Sequence, residues 1–453
     1  MTLDPKRLSE KDFDDYEFIC REGARLAAME PQALFEHFRL HPEDRFHWMP
    51  RPRGGELFLS RQADLRFLQI ATRGLLALGT DREKHSLEKV VGAVKSELVS
   101  RLDEPSKITD ENAHDVFRAA IQALAVTHSR LTHFIPCTVV VHEVTPRFRI
   151  GPVEFALRSL FMHENESQIR RRKEGPQGSD LGFEQLEKFF SRFRWIAHVA
   201  VEPCDAAVST QRARRAVQMA LDLFKLYVGS SRASCVRQGY DLGIPTETAE
   251  LVSDEPHGFS ILWGRRIGDA IVNDNWFRQV SVQKPWQEAE SLISRALSTW
   301  GEVPEPEQRF LDALAWHGEA VTDPEPQSRV LKFWIAIERV ASLHSGVSVA
   351  KRAALLSCNN PEEFEGQLSK CNSLYSKRSA VSHGALGRES ATSLETASRV
   401  EMLSRTALAA YLMLLERLQK RGDMSKGSLE VEFEQLEKIC RKGGRRVQER
   451  KSP

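Results

Sequence analysis

Between Gly301 and about residue 420, every stretch long enough to form an element repeats apolar residues at spacings of three and four, and prolines fall only between those stretches. That pattern excludes a sheet there and predicts a helical bundle. One helix spans 308–320 (Phe310, Leu311, Leu314, Trp316), and a second follows the break at Asp323-Pro324-Glu325-Pro326, with Ser328 as its expected N-cap. Val330, Phe333, Trp334, Ile337, Val340 and Ala341 line one stripe of that second helix. Shorter helices are predicted over 348–357 and 362–376, and a long one runs from about Thr392 to Lys420 with Val400, Leu403, Ala407, Tyr411 and Leu418 inward.

Upstream the pattern changes twice. Residues 1–60 carry Pro31, Pro42, Pro50, Pro52 and the pair Gly54-Gly55, so they read as an irregular arm with one helix around 32–38. From Arg61 to about 130 the spacing is helical, with Leu87, Val90, Val91, Val94 and Leu98 on one face and another helix beginning after Thr109-Asp110. Residues 131–300 mix both periods: short β-branched runs at Cys137–Val141, Trp195–Val201 and Phe259–Trp263 predict strands. Helices are expected over about Thr210–Tyr227, closed by Gly229, and over 280–300.

The middle region offers no chemistry that its residues can support. His142-Glu143 lacks a second histidine four residues on, and Gly264-Arg-Arg-Ile-Gly268 lacks the framing of a nucleotide-binding loop. His128 and His133 sit at the edge of an apolar stripe and read as packed side chains. Arg170-Arg171-Arg172-Lys173 enters a polar loop and is either a solvated run or a nucleic-acid contact. The seven cysteines are scattered singly, without ligand spacing, which points to a reducing compartment rather than zinc or disulfides. The first twenty residues show no leader of signal-peptide type and no run is long enough to span a membrane, so the chain reads as cytoplasmic. A net charge of +1 leaves any polynucleotide-binding surface as a local patch.

Within the helical third, Leu374-Tyr375-Ser376-Lys377-Arg378-Ser379-Ala380-Val381-Ser382-His383-Gly384 concentrates the reactive groups. A guanidinium can neutralise charge that develops on phosphate oxygens, and an imidazole can take or give a proton near neutral pH. Arg378 and His383 are five residues apart, roughly 140° past a full helical turn, so they converge only if the helix ends near Gly384 or a second copy faces the first. Glu338, one turn after Trp334, is either a structural ion-pair partner or the group that orients Arg378 or His383. Lys351 and Arg352 lie on the polar side of the short helix, and Arg441-Lys442-Gly443-Gly444-Arg445-Arg446 adds a basic cluster near the end. That cluster is either an RNA-tracking patch or a frayed terminus.

Four segments in order resemble the Apea-like branch of the HEPN superfamily. They are Arg309–Trp316, Arg329–Glu338, Lys351–Leu356 and Leu374–Gly384. The resemblance covers about the last third of the chain. It implies a C-terminal HEPN-type helical bundle that dimerises, with Arg378 and His383 as a ribonuclease pair that needs no metal or other cofactor. Ser379 stands where the wider superfamily often has Asn, Asp or His. Ser379, Tyr375, Lys377 and Glu338 are the expected supporting residues, and Lys351, Arg352, Arg445 and Arg446 the expected RNA contacts. The expected fold is mainly α with a mixed α+β middle: a mostly helical region to 130, an α+β region over 131–300, the Apea-like domain over 305–420, and a basic, partly flexible tail over 421–453. The implied activity is endoribonucleolytic, as a toxin or antiviral abortive-infection effector. Its RNA substrate is met by a homodimer, and the N-terminal region responds to a phage-derived or cellular trigger. The alternative is an inactive RNA-binding or dimerisation module.

Overall fold

The computed structural model describes the chain apart from residues 1–9, 28, 41–46, 51–55, 103–109, 142–144, 168, 170–186, 240–246, 255–257, 266–268, 274, 300–301, 343–347, 359, 384–390 and 452–453. The chain forms two compact units, one of Met1–Leu131 with Val201–Arg212, the other of Thr132–Ala200 with Ala213–Pro453. Of the expected α+β region over 131–300, Leu131 and Val201–Arg212 lie in the first unit, and the rest shares the second unit with the helical third.

The first unit is built from α1 (Glu10–Ala27), α2 (Pro31–Leu40), a hairpin of β1 (His47–Pro50) and β2 (Glu56–Leu59), then α3 (Arg61–Ala77), α4 (Leu87–Leu102) and α5 (Asp110–Thr127). The irregular arm expected over 1–60 is thus two helices and a hairpin. Pro31 stands at the first position of α2, where its missing N–H costs nothing. Tyr16 and Ile19 of α1 pack with Phe67, Ile70, Val90, Val94, Leu98, Val116 and Ile121 in one core. Asp15, 2% exposed, is satisfied by the guanidinium groups of Arg66 and Arg73, both from α3.

The second unit holds a four-stranded sheet of β3 (Ser129–Cys137), β4 (Arg147–Ile150), β5 (Val153–Leu157) and β6 (Trp195–Cys204), in the order β3-β6-β5-β4. β4, β5 and β6 are antiparallel, and Gly151, at a φ of 56°, makes the tight turn between the first two of them. α6 (Arg158–Glu164) follows β5, and α7 (Ala206–Val228) follows β6. β6 begins where the β-branched run predicts. The strand expected at Cys137–Val141 instead ends at Cys137, and beyond it Val140 makes an isolated bridge to Ala270. A separate hairpin pairs β7 (Glu247–Asp254) with β8 (Gly258–Arg265). The pair His142-Glu143 and the run Arg170–Lys173 lie outside the described residues.

After α8 (Trp276–Ser281) and α9 (Lys284–Ser298) the chain is helical throughout its described part: α10 (Glu305–Thr322), α11 (Pro326–Ala341), α12 (Val349–Ser357), α13 (Phe364–Ser382), α14 (Ala391–Arg421) and α15 (Lys426–Lys451). Phe310, Leu314, Val330, Phe333, Trp334, Ile337, Val400, Tyr411 and Leu418 are fully buried, as their spacing predicts. The start of α11 differs from expectation. Pro326 opens that helix after Glu325, and Ser328 donates instead to Asp323 Oδ2 at 2.5 Å. The tail's backbone is helical from Lys426 to Lys451, held by buried Leu429 and Phe433.

Candidate active site

α13 carries the Arg/His stretch, and two facts of its sequence decide how the stretch is displayed. Only Phe364, Cys371, Leu374 and Val381 of this helix are buried, so its remaining faces stay available to solvent. His383 is the C-cap, where the helix gives way: its N–H still donates to the Ser379 carbonyl at 3.1 Å, and its side chain is exposed. The expected end of the helix near Gly384 is therefore present up to the last described residue, and Gly384 itself lies outside the described residues.

Arg378 is half-buried. Its Nη2 lies 3.4 Å from Glu338 Oε1 across to α11, with the two side chains 29% and 30% exposed. Its Nε is buried without a hydrogen-bond partner. One guanidinium nitrogen thus meets a carboxylate, while the Nε–H is enclosed without an acceptor. Between the same two helices, Trp334 is fully buried and its ring centroid lies 5.5 Å from that of Tyr375. Tyr375 is not enclosed in the bundle, being 43% exposed. Lys377 and Ser379 are half-buried on the same helix, while Ser382 and Ser376 return their hydroxyls to backbone carbonyls at Arg378 and Asn372, both at 3.1 Å.

The expected RNA contacts on α12 fare differently. Arg352 is 8% exposed and fully engaged: it donates to the Ala341 carbonyl at 3.2 Å, pairs with Glu430 and lies 4.5 Å over the Phe433 ring. It secures α15 against the bundle rather than facing solvent, which corrects its reading as an RNA contact. Its neighbour Lys351 is half-buried and bound to Glu437 at 2.7 Å. Arg445 and Arg446 fall on α15, with side chains outside the described residues.

A buried polar group close to the bundle core escaped the sequence reading. Asp222 and Lys225, both on α7, pair at 3.0 Å, and Gln218 donates to the same carboxylate oxygen at 2.8 Å. Burial raises the Asp222 carboxyl above its ordinary range despite Lys225. Across on α10, Gly318 leaves room for this carboxylate, since a Cβ there would lie 2.0 Å from Asp222 Oδ1. His317 is fully buried with Nδ1 3.0 Å from Ser404 Oγ. The positions of Asp222 and Lys225 within an apolar stripe were the available signal; their partner on another helix left none. Among the described residues no cluster of metal-ligating side chains has a geometry suited to an ion.

No known protein family, curated protein or solved structure matches this chain. Among the described residues no helix is long and apolar enough to cross a membrane.

Proposed function

We propose that the chain is an endoribonuclease of HEPN type, with Arg378 and His383 as its reacting pair. The observation that supports this most is the exposed imidazole of His383 at the C-cap of the same helix that carries the half-buried Arg378. RNA carries its own nucleophile. The 2′-hydroxyl attacks the adjacent phosphorus, the bond to the 5′-oxygen breaks, and a 2′,3′-cyclic phosphate forms. His383 takes the hydroxyl proton or gives one to the departing oxygen. Arg378 stabilises the extra negative charge on the phosphorus oxygens, with Glu338 fixing the direction of its guanidinium. No step of this scheme calls on a metal.

On this reading two copies of the chain face each other through α13, so that one His383 serves as base and the other as acid. The setting that fits is a cytoplasmic toxin or antiviral effector, released when the N-terminal region meets its trigger. The test is cleavage of RNA by the purified chain in excess chelator, with the ends of the products sequenced. Cyclic phosphate ends that vanish in His383→Ala are the expected result; undiminished cleavage by that variant refutes the proposal.

The ion pair between Arg378 and Glu338 favours a second reading. With its charge already answered, Arg378 would serve stability, and the domain would bind RNA or assemble without cutting. Expression in cells separates the two, because the catalytic form arrests growth and an Arg378→Ala form does not.

A further inference from the structure

The sheet of the second unit has one face packed and one face partly open, and the open face is aromatic. Alternation along the strands sends Trp195, Ala197 and Val199 of β6, Val153 and Phe155 of β5, and Phe148 and Ile150 of β4 into the core, where all are buried. The register then sets His198 of β6 opposite Glu154 of β5, which in turn pairs with Arg149 of β4, on the other side of the sheet. Phe134 of β3 joins this row, its ring centroid 5.1 Å from that of His198 with the planes inclined at 31°. Phe161 of α6 also meets Phe134, with ring centroids 4.9 Å apart and the planes inclined at 48°.

These rings are not a sealed core. Phe134 is 38% exposed and the His198 side chain 42%. A phenyl ring left this open on a sheet face forfeits burial that any neighbouring apolar side chain would supply. The charges around it are distributed unevenly. Arg147 answers both carboxylates of the row, Glu154 at 3.2 Å and Glu164 of α6. Arg149 is exposed, and its Nε donates to the Gly151 carbonyl at 2.9 Å. The carboxylates of the row are thus largely neutralised, and Arg149 is left exposed on the edge strand, two strands from His198, with Glu290 as an electrostatic neighbour.

We infer that this face, with Phe134, His198 and Phe161 as stacking rings and Arg149 as the phosphate contact, is a binding platform for a short stretch of single-stranded polynucleotide. Bases have apolar faces that stack on aromatic side chains whatever their sequence, and a four-stranded sheet is wide enough for about two or three of them. Stacking supplies most of the attraction and a single guanidinium little of it. Binding is therefore sequence-tolerant and only weakly dependent on salt, with log affinity falling against log salt at a slope of about −0.7, the contribution of one phosphate neutralised on a single strand.

The test uses the full chain and a fluorescein-labelled 2′-O-methyl oligouridylate of about ten residues, read by fluorescence anisotropy. Its sugars lack the free 2′-hydroxyl, so binding is measured independently of any cleavage at Arg378 and His383. Phe134→Leu keeps an apolar side chain without the ring and is expected to weaken binding about tenfold, whereas Phe134→Tyr stays within about twofold. Arg149→Ala is expected to flatten the salt dependence. Circular dichroism establishes that each variant is folded. No binding by the wild-type chain, equal binding by Phe134→Leu, or equal competition by duplex RNA overturns the inference. Loss of binding in Arg378→Ala with retention in Phe134→Leu also overturns it, and assigns the contact to α13.

Discussion

Glu338 and Arg378 meet between α11 and α13 with Oε1 3.4 Å from Nη2, each side chain about a third exposed. A pair this open to water contributes little to folding, about 0–1 kcal/mol. What it can do is fix the direction of the guanidinium. Glu338→Gln keeps the shape and removes the charge, so cleavage is expected to fall about tenfold while the unfolding free energy changes by no more than about 1 kcal/mol. Denaturant unfolding and initial cleavage rates of the same preparations check both halves.

Arg352 illustrates the opposite case. Buried under Phe433 and bound to Glu430 and the Ala341 carbonyl, it ties the end of α11 to α15. Arg352→Ala removes the stem as well as the charge and leaves Glu430 without its partner. A loss of about 3 kcal/mol in unfolding free energy is expected. Under native conditions oligonucleotide affinity should stay at the wild-type value, measured by anisotropy at a temperature where the variant is folded.

How far the sequence could foresee this depends on what each element is made of. α10, α11 and α14 are amphipathic with a regular period, so burial follows from spacing, and Phe310, Phe333, Trp334 and Tyr411 are where that period sends them. β6 is as legible, being β-branched and continuous. β3 was misplaced because its alternation of Arg130, Thr132 and Phe134 with Leu131, His133 and Ile135 is too polar to stand out, while the more apolar residues just after it draw the eye. In residues 1–60 the prolines and glycines hid Tyr16 and Ile19, whose partners come from later helices. The candidate site was readable as far as chain-local signals reach. Arg378 and His383 share a helix, but that Arg352 faces inward depends on α15, which no spacing rule connects to α12.

Gly318 carries a prediction of its own. A methyl group there would stand 2.0 Å from Asp222 Oδ1 and 2.2 Å from its Cγ, inside a region that cannot yield to solvent. Asp222 is also the partner of buried Lys225, so displacing it would strand a charge. Gly318→Ala is expected to cost about 3 kcal/mol or more, seen as a lowered thermal midpoint. Gly366→Ala, where a Cβ meets nothing within 4 Å, is the control and should be neutral or slightly stabilising.

The buried imidazole of His317 gives stability a pH dependence with a definite sign. Burial, reinforced by the nearby positive charges of Arg405 and Lys225, holds its pKa down to about 3 from an ordinary value of 6.5. The folded state therefore keeps the ring neutral where the unfolded chain protonates it. Above pH 6.5 neither state binds the proton and the group costs nothing. As pH falls from 6.5 toward 3 the unfolded state gains protons that the folded one refuses, so stability drops by up to about 1.4 kcal/mol per pH unit. Asp222, whose carboxyl is raised by burial, acts in the opposite direction in acid, because the folded state then takes a proton more readily than the unfolded one. Comparing the wild-type chain with His317→Gln isolates the imidazole, since Asp222 is common to both. Urea unfolding at pH 7.5, 6.0 and 5.0 should show the wild-type chain losing more stability than the variant at each acid step, whichever of the two is the more stable at pH 7.5.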